Sequence, residues 1–123
     1  MASILLIADD DWVRNDVSAS IVDPSITLTV LDDPSDIVTI DRRFDLYAVD
    51  MQIASTGGMA TVRLLKDAMF RGEIERAPTV LLLDRSADVF LAKRAGADAY
   101  LIKPFTSQQL REVMSHLLGE ASS

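Results

Sequence analysis

The chain has 123 residues, a formal net charge of -7, and 49% hydrophobic, 25% charged and 6% aromatic residues. That length suits one domain with one well-formed core, and the balance excludes a disordered chain. The twelve Lys and Arg form no run longer than a pair, which disfavours a nucleic-acid face, and the absence of cysteine excludes disulfides, thiolate metal sites and a Cys nucleophile.

In chain order, the first element is an apolar run from Ile4 to Ala8, read as strand one. Its apolar stretch Ile4 to Ile7 is far too short for a signal-peptide core or a membrane span, so a cytoplasmic protein is expected. Asp9, Asp10 and Asp11 follow, and then Val13, Val17 and Ile21 recur at a helical spacing. Ile26 to Leu31 reads as strand two. Asp33 before Pro34 is the pattern of a cap and first residue of a short second helix. Leu46 to Val49 reads as strand three and stops at Asp50, and Gly57 and Gly58 permit a turn before a helix whose stripe is Val62, Leu65 and Met69. Strand four, Val80 to Leu83, stops abruptly at Asp84 and Arg85, and a short helix follows that Ala95 and Gly96 close. Strand five, Ala99 to Ile102, runs into Lys103 and Pro104. Thr106 and Gln109 have capping-box spacing ahead of the stripe Leu110, Val113, Met114, Leu117 and Leu118. Residues 1–119 read as one domain and 120–123 as a frayed tail.

Five strands alternating with five helices imply an α/β fold, because parallel strands need crossover connections and right-handed crossovers cover both sheet faces. The order 2-1-3-4-5, the flavodoxin-like doubly wound (βα)5 arrangement, is the usual solution and puts ligand chemistry at the carboxyl ends of the strands. Strands one and three are then neighbours, and their ends bring Asp9, Asp10 and Asp50 into one crevice. Like charges at close range cost stability, and such a cluster of hard oxygens suits a divalent cation, Mg2+ being the natural candidate. A plainer reading makes the acidic run a helix N-terminus, where carboxylates suit the macrodipole; it accounts for Asp10 or Asp11 but not for Asp50. Lys103 ends strand five and adds a positive charge beside the acids, aimed by an X-Pro bond that can be cis.

On the segments LLIADDDWVR, DLYAVDMQ with Gly58 eight residues after Asp50, and AGADAYLIKPF, the chain resembles the receiver domains of bacterial two-component response regulators, the chemotaxis receiver among them. The resemblance covers essentially the whole chain. It implies a phosphoprotein: Asp50 as phosphoacceptor, forming an acyl phosphate with the phosphoryl group of a phosphohistidine on a sensor histidine kinase or phosphotransfer protein. It also implies Asp9, Asp10, Asp50 and the Gln52 main-chain carbonyl as Mg2+ ligands, Lys103 as the partner of the phosphoryl oxygens, and Tyr100 as the switch aromatic. Phosphoryl transfer needs chiefly positioning and neutralisation of charge on the equatorial oxygens, which a metal and Lys103 supply. The resemblance implies a stand-alone phosphorelay domain and not an enzyme in the ordinary sense, with at most self-phosphorylation and self-dephosphorylation. It would signal by contact with a downstream protein or a second copy of itself, with no nucleic acid and no membrane.

Three positions depart from the family pattern. Strand four normally ends in Ser or Thr, whose hydroxyl bonds a phosphoryl oxygen; here the place falls to Asp84, or to Leu83 in another register. Ala54 replaces the usual Pro after Asp50. The segment from Asp84 to Gly96 is about one helical turn short, at ~3.6 residues per turn. If Asp84 faces the crevice, it repels an incoming phosphoryl group; if Arg85 draws it outward as an exposed ion pair, it merely starts a helix. The departures motivate an alternative, a pseudo-receiver that acts as a phosphorylation-independent interaction domain. A haloacid dehalogenase-type phosphatase would want a second Asp where Gln52 stands, and a flavin binder would need a phosphate-cradling loop where three acids stand. Trp12 either rims the crevice or is half buried on helix one, and His116 reads as a solvated helix residue.

Overall fold

β-branched and leucine-rich runs form five parallel strands in the computed structural model, which describes residues 2–40, 43–53 and 56–122. They are β1 (Ala2–Ile7), β2 (Ile26–Leu31), β3 (Leu46–Asp50), β4 (Thr79–Leu83) and β5 (Ala99–Ile102). The sheet order is β2-β1-β3-β4-β5, as the alternation of elements requires. The helices are α1 (Asp11–Ser20), α2 (Gly58–Phe70), α3 (Val89–Ala95) and α4 (Ser107–Ser122).

Where a fifth helix is expected, between β2 and β3, the chain instead forms a 3-10 segment, Pro34–Thr39, entered at the anticipated cap: Asp33 accepts a hydrogen bond from the Ser35 backbone N–H. Ile37, Val38, Thr39 and Ile40 are a β-branched run, which lowers α-helix propensity, so a short tight segment wins there. A second 3-10 turn, Ser86–Asp88, precedes α3 and uses up residues that the helix would otherwise have taken. Gly96 closes α3 in the left-handed conformation with φ 88°. At the other end of the chain α4 continues to Ser122, through residues read from sequence as a frayed tail. Gly119 does not adopt the positive φ of a helix-ending glycine, and Glu120 and Ala121 are good helix formers.

The strand alternation of two sorts the core into two layers. Leu5, Ile7, Tyr47, Val49, Leu81 and Leu83 pack toward Val62, Leu65 and Met69 of α2 and Ala92 of α3. Ile4, Leu6, Leu46, Ala48, Val80 and Leu82 pack toward Val13 and Val17 of α1 and Leu110, Met114 and Leu117 of α4. The helical stripes legible in sequence are the stripes that cover the sheet. Each fully buried Leu or Ile contributes on the order of 1.5–3 kcal/mol relative to exposure.

Candidate functional site

The carboxyl edge of the sheet is assembled by register. Asp50 lies opposite Leu82 across β3 and β4, and Leu82 lies opposite Leu101 across β4 and β5. Two residues further along each chain come Gln52, Asp84 and Lys103, on the same side of the alternation as Asp50. The Lys103 backbone N–H still bonds the Leu83 carbonyl at 2.8 Å, so the extended path of β5 continues to the lysine. The following Lys103–Pro104 bond is cis.

These four side chains form one connected network. The Lys103 ammonium donates to Asp50 Oδ1 and to Asp84 Oδ1, the latter at 3.1 Å. Asp84 Oδ2 accepts from the Gln52 carboxamide at 2.6 Å. Asp50 Oδ1 also lies 3.3 Å from the Gln52 backbone N–H, which donates to it. Both oxygens of Asp84 are therefore engaged, whereas Asp50 Oδ2 is buried with no hydrogen-bond partner. Asp50 is wholly buried, and the Lys103 side chain is only 12% exposed.

Electrostatics follow from that geometry. Burial pushes the Asp84 carboxyl up, but the hydrogen bonds from Gln52 and Lys103 and the charges of Lys103 and Arg85 outweigh it and hold the group below its ordinary value. Burial likewise pushes the Lys103 ammonium down, and its contacts with Asp50 and Asp84 outweigh that, raising it above its ordinary value. One largely covered cation is shared by two carboxylates.

Of the two readings of Asp84, the inward one is what the structure has. Arg85 does not pair with it: its guanidinium bonds Asp88 at 3.3 Å across the 3-10 turn. The alternative register, with Leu83 at the switch position, does not hold, since Leu83 is a buried core residue inside β4. The side chain of Gln52, which the sequence reading used only through its main-chain carbonyl, is part of the network. Its position two residues after a strand-end Asp was the available signal.

The acids after β1 follow a strand that ends at the same edge of the sheet. Pairing of Ile7 with Val49 brings the end of β1 beside the end of β3. Asp10 is the N-cap of α1, its carboxylate accepting from the Trp12 backbone N–H at 2.8 Å, and Asp11 is the first helical residue. Asp9 and Asp10 are both exposed. Among the described residues no three acidic or histidine side chains form a ready-made metal-holding group. The capping bond turns the Asp10 carboxylate toward the helix amides. Arg14, also near this edge, donates to the Ala8 carbonyl at 2.8 Å and lies 3.8 Å from Asp32.

Tyr100 is partly exposed on β5, and Trp12 is 55% exposed at the start of α1. His116 is exposed on α4, at the opposite edge of the sheet, where it lines a concavity of about 970 Å3 with Met69, Phe70, Pro78 and Val113. That hollow lies where β4 and β5 begin, far from the Asp50 network, so its depth is no guide to the chemistry. Ala54 lies outside the described residues. Among the described residues, no helix is long and apolar enough to cross a membrane.

No protein-family model matches the chain. Among curated proteins, it is similar to chemotaxis protein CheY homologues from strains of Campylobacter jejuni subsp. jejuni, at 27% identity over 89 residues. That match covers 71% of this chain and 66% of the relatives' length. Among solved structures, it is similar to the receiver domain of a sensor histidine kinase from Pseudomonas aeruginosa PAO1, with a TM-score of 0.79 and 22% identity over 96% of this chain and 98% of that one. That structure holds a magnesium ion coordinated in its active-site cleft. The chemotaxis protein CheY4 of Vibrio cholerae gives a TM-score of 0.79 at 21% identity, covering 95% of this chain and 98% of that one. A putative response regulator from Chloroflexus aurantiacus J-10-fl gives 0.84 at 17% identity, covering 96% and 98%. The chain has the receiver-domain fold of the chemotaxis-receiver type.

Proposed function

We propose that this chain is a phosphoacceptor receiver of two-component signalling in which Asp50 takes a phosphoryl group from a phosphohistidine of a sensor kinase or phosphotransfer protein. The observation that carries the reading is the pairing of a wholly buried carboxylate, Asp50, with a largely covered ammonium, Lys103, at the carboxyl edge of a doubly wound sheet. An ion pair of this kind adds little to stability for the desolvation it costs, which favours a functional explanation.

The chain's own groups suit the chemistry. An oxygen of Asp50 attacks phosphorus in line with the departing nitrogen of the imidazole, and an acyl phosphate forms as the P–N bond breaks. Lys103, held against Asp50 beforehand, stabilises the charge on the equatorial oxygens without reorganising at the moment of transfer. The donor set also suits Mg2+: Asp50 Oδ2 is a buried hard oxygen with no partner, and a hard cation would satisfy it. Asp50, the Gln52 main-chain carbonyl, Asp9 and Asp10 would hold the ion, Asp10 after giving up its cap. When bound, Mg2+ supplies charge neutralisation for the phosphoryl oxygens. A cytoplasmic domain that signals by contact with a downstream protein or a second copy of itself fits the net charge of -7 and the scattered basic residues.

Incubation with Mg2+ and acetyl phosphate, followed by intact mass measurement, tests the proposal. The expected result is a gain of one phosphoryl group that needs Mg2+ and disappears in Asp50→Asn. No gain would favour the phosphorylation-independent interaction domain.

A further inference from the structure

The Gln52–Asp84–Lys103 chain has a consequence for how Asp50 is reached, and it rests on the phosphoacceptor reading. Asp84 bonds Lys103 with one oxygen and Gln52 with the other, at 3.1 Å and 2.6 Å. A tetrahedral phosphoryl group on Asp50 would need the same ammonium. Asp50 is meanwhile wholly buried, so a phosphodonor approaches it only after a neighbour moves. Asp84 is a neighbour with a path outward: its side chain is 31% exposed, against 12% for Lys103. The charge count points the same way. Lys103 already faces two carboxylates, and each phosphoryl group brings further negative charge to the same cation.

We infer that Asp84 is an internal anionic latch: its carboxylate occupies the phosphoryl group's place on Lys103, and phosphorylation of Asp50 requires Asp84 to release both Lys103 and Gln52. The latch lowers the rate of phosphorylation and sets the threshold at which a donor succeeds. Asp84 does not touch the reacting atoms in this scheme; it is a positioning residue that acts through Lys103. The gated step is a balanced substitution: an Asp50 oxygen forms a bond to phosphorus, the bond from phosphorus to the bridging oxygen of acetyl phosphate breaks, and acetate leaves with that electron pair. No oxidant, reductant or net proton is needed.

The experiment follows phosphoryl gain over time by intact mass, with Mg2+ and acetyl phosphate, in wild type, Asp84→Asn, Asp84→Ala, Asp84→Glu and Gln52→Ala. Removing the charge in Asp84→Asn and Asp84→Ala is expected to speed the gain by about tenfold or more, equivalent to about 1.4 kcal/mol in the barrier. Asp84→Glu, which keeps the charge, should react no faster than wild type, a contrast that a merely structural role would not produce. Gln52→Ala frees one arm of the latch and should show a smaller acceleration; it also decides the matter if the Asp84 variants fail to fold. Equal or slower gain in the neutral variants, with wild type phosphorylated, overturns the latch and leaves Asp50 as phosphoacceptor. No gain in any of the proteins overturns both.

Discussion

Gly58 offers the most sharply defined perturbation near the site. It is the first residue of α2, buried, and a Cβ built there would lie 2.7 Å from Met51 Cα, 2.8 Å from the Asp50 carbonyl oxygen and 2.8 Å from Leu81 Cδ1. Ordinary carbon contacts lie at about 3.5–4.0 Å, so Gly58→Ala must push the helix and the end of β3 apart by roughly 1 Å. Two of the three obstructing atoms are backbone and cannot rotate aside. Overpacking of this kind costs about 1–3 kcal/mol, and the better helix propensity of Ala returns at most about 1 kcal/mol of it. A net loss of about 1–2 kcal/mol should lower Tm by roughly 4–10 °C in a domain of this size. Thermal melts by far-UV circular dichroism measure this directly, with Gly119→Ala as the comparison, since nothing beyond its chain neighbours and its own helix backbone lies within 4 Å of that Cβ position and helix stability should rise slightly. Because the displaced atoms include the Asp50 carbonyl, phosphoryl gain should slow in the same variant. A Tm for Gly58→Ala at or above wild type would refute the packing argument.

Three further outcomes follow from the same geometry. The capping box closes both ways, Thr106 Oγ1 accepting from the Gln109 N–H at 3.1 Å and Gln109 Oε1 from the Thr106 N–H at 2.9 Å, so Thr106→Ala should cost about 1 kcal/mol by urea unfolding. Asp98 Oδ2 accepts from the buried Thr79 N–H at 2.8 Å and from Lys66 at 3.2 Å; Asp98→Ala strands that donor and should cost about 1–3 kcal/mol, with Asp98→Asn milder. Asp84 titrates below its unfolded value, so its contribution to stability is present above about pH 4, the unfolded carboxylate range, and is lost as pH falls through the lower folded value. In metal-free buffer the stability difference between wild type and Asp84→Asn should therefore shrink between neutral pH and acid; a difference that grows toward acid would contradict it. Lys103 has the opposite sign, its contribution being lost only as pH rises above its raised folded value.

The sheet was legible because each strand is a short apolar run bounded by a change of pattern, and each stripe at helical spacing had a sheet face to cover. Asp50 and Lys103 were legible for the same reason: polar residues that end buried strands stand out against their neighbours, and the strand order then says which of them meet. The direction of Asp84 was not legible. Asp84 and Arg85 are adjacent opposite charges, and sequence alone cannot tell a pair that satisfies itself from one that splits. Arg85 went to Asp88, one 3-10 turn away, and Asp84 went to Lys103 and Gln52. Of the two readings of Asp10, the helix cap is the one that the side-chain geometry displays. As a carboxylate beside a cluster it invited a metal role, but a free helix N-terminus two residues on takes its oxygen first. The missing helix after β2 reflects a local preference, a β-branched run, overriding the expected crossover element.

The central claim is that Asp50 is the phosphoacceptor, and its most direct test is to locate the phosphoryl group. After reaction with acetyl phosphate and Mg2+, borohydride reduces an aspartyl phosphate to homoserine, and peptide mass analysis identifies the residue changed. The account predicts homoserine at position 50 and at no other aspartate. Conversion at Asp9, Asp10 or Asp84 instead, or at none, would contradict it.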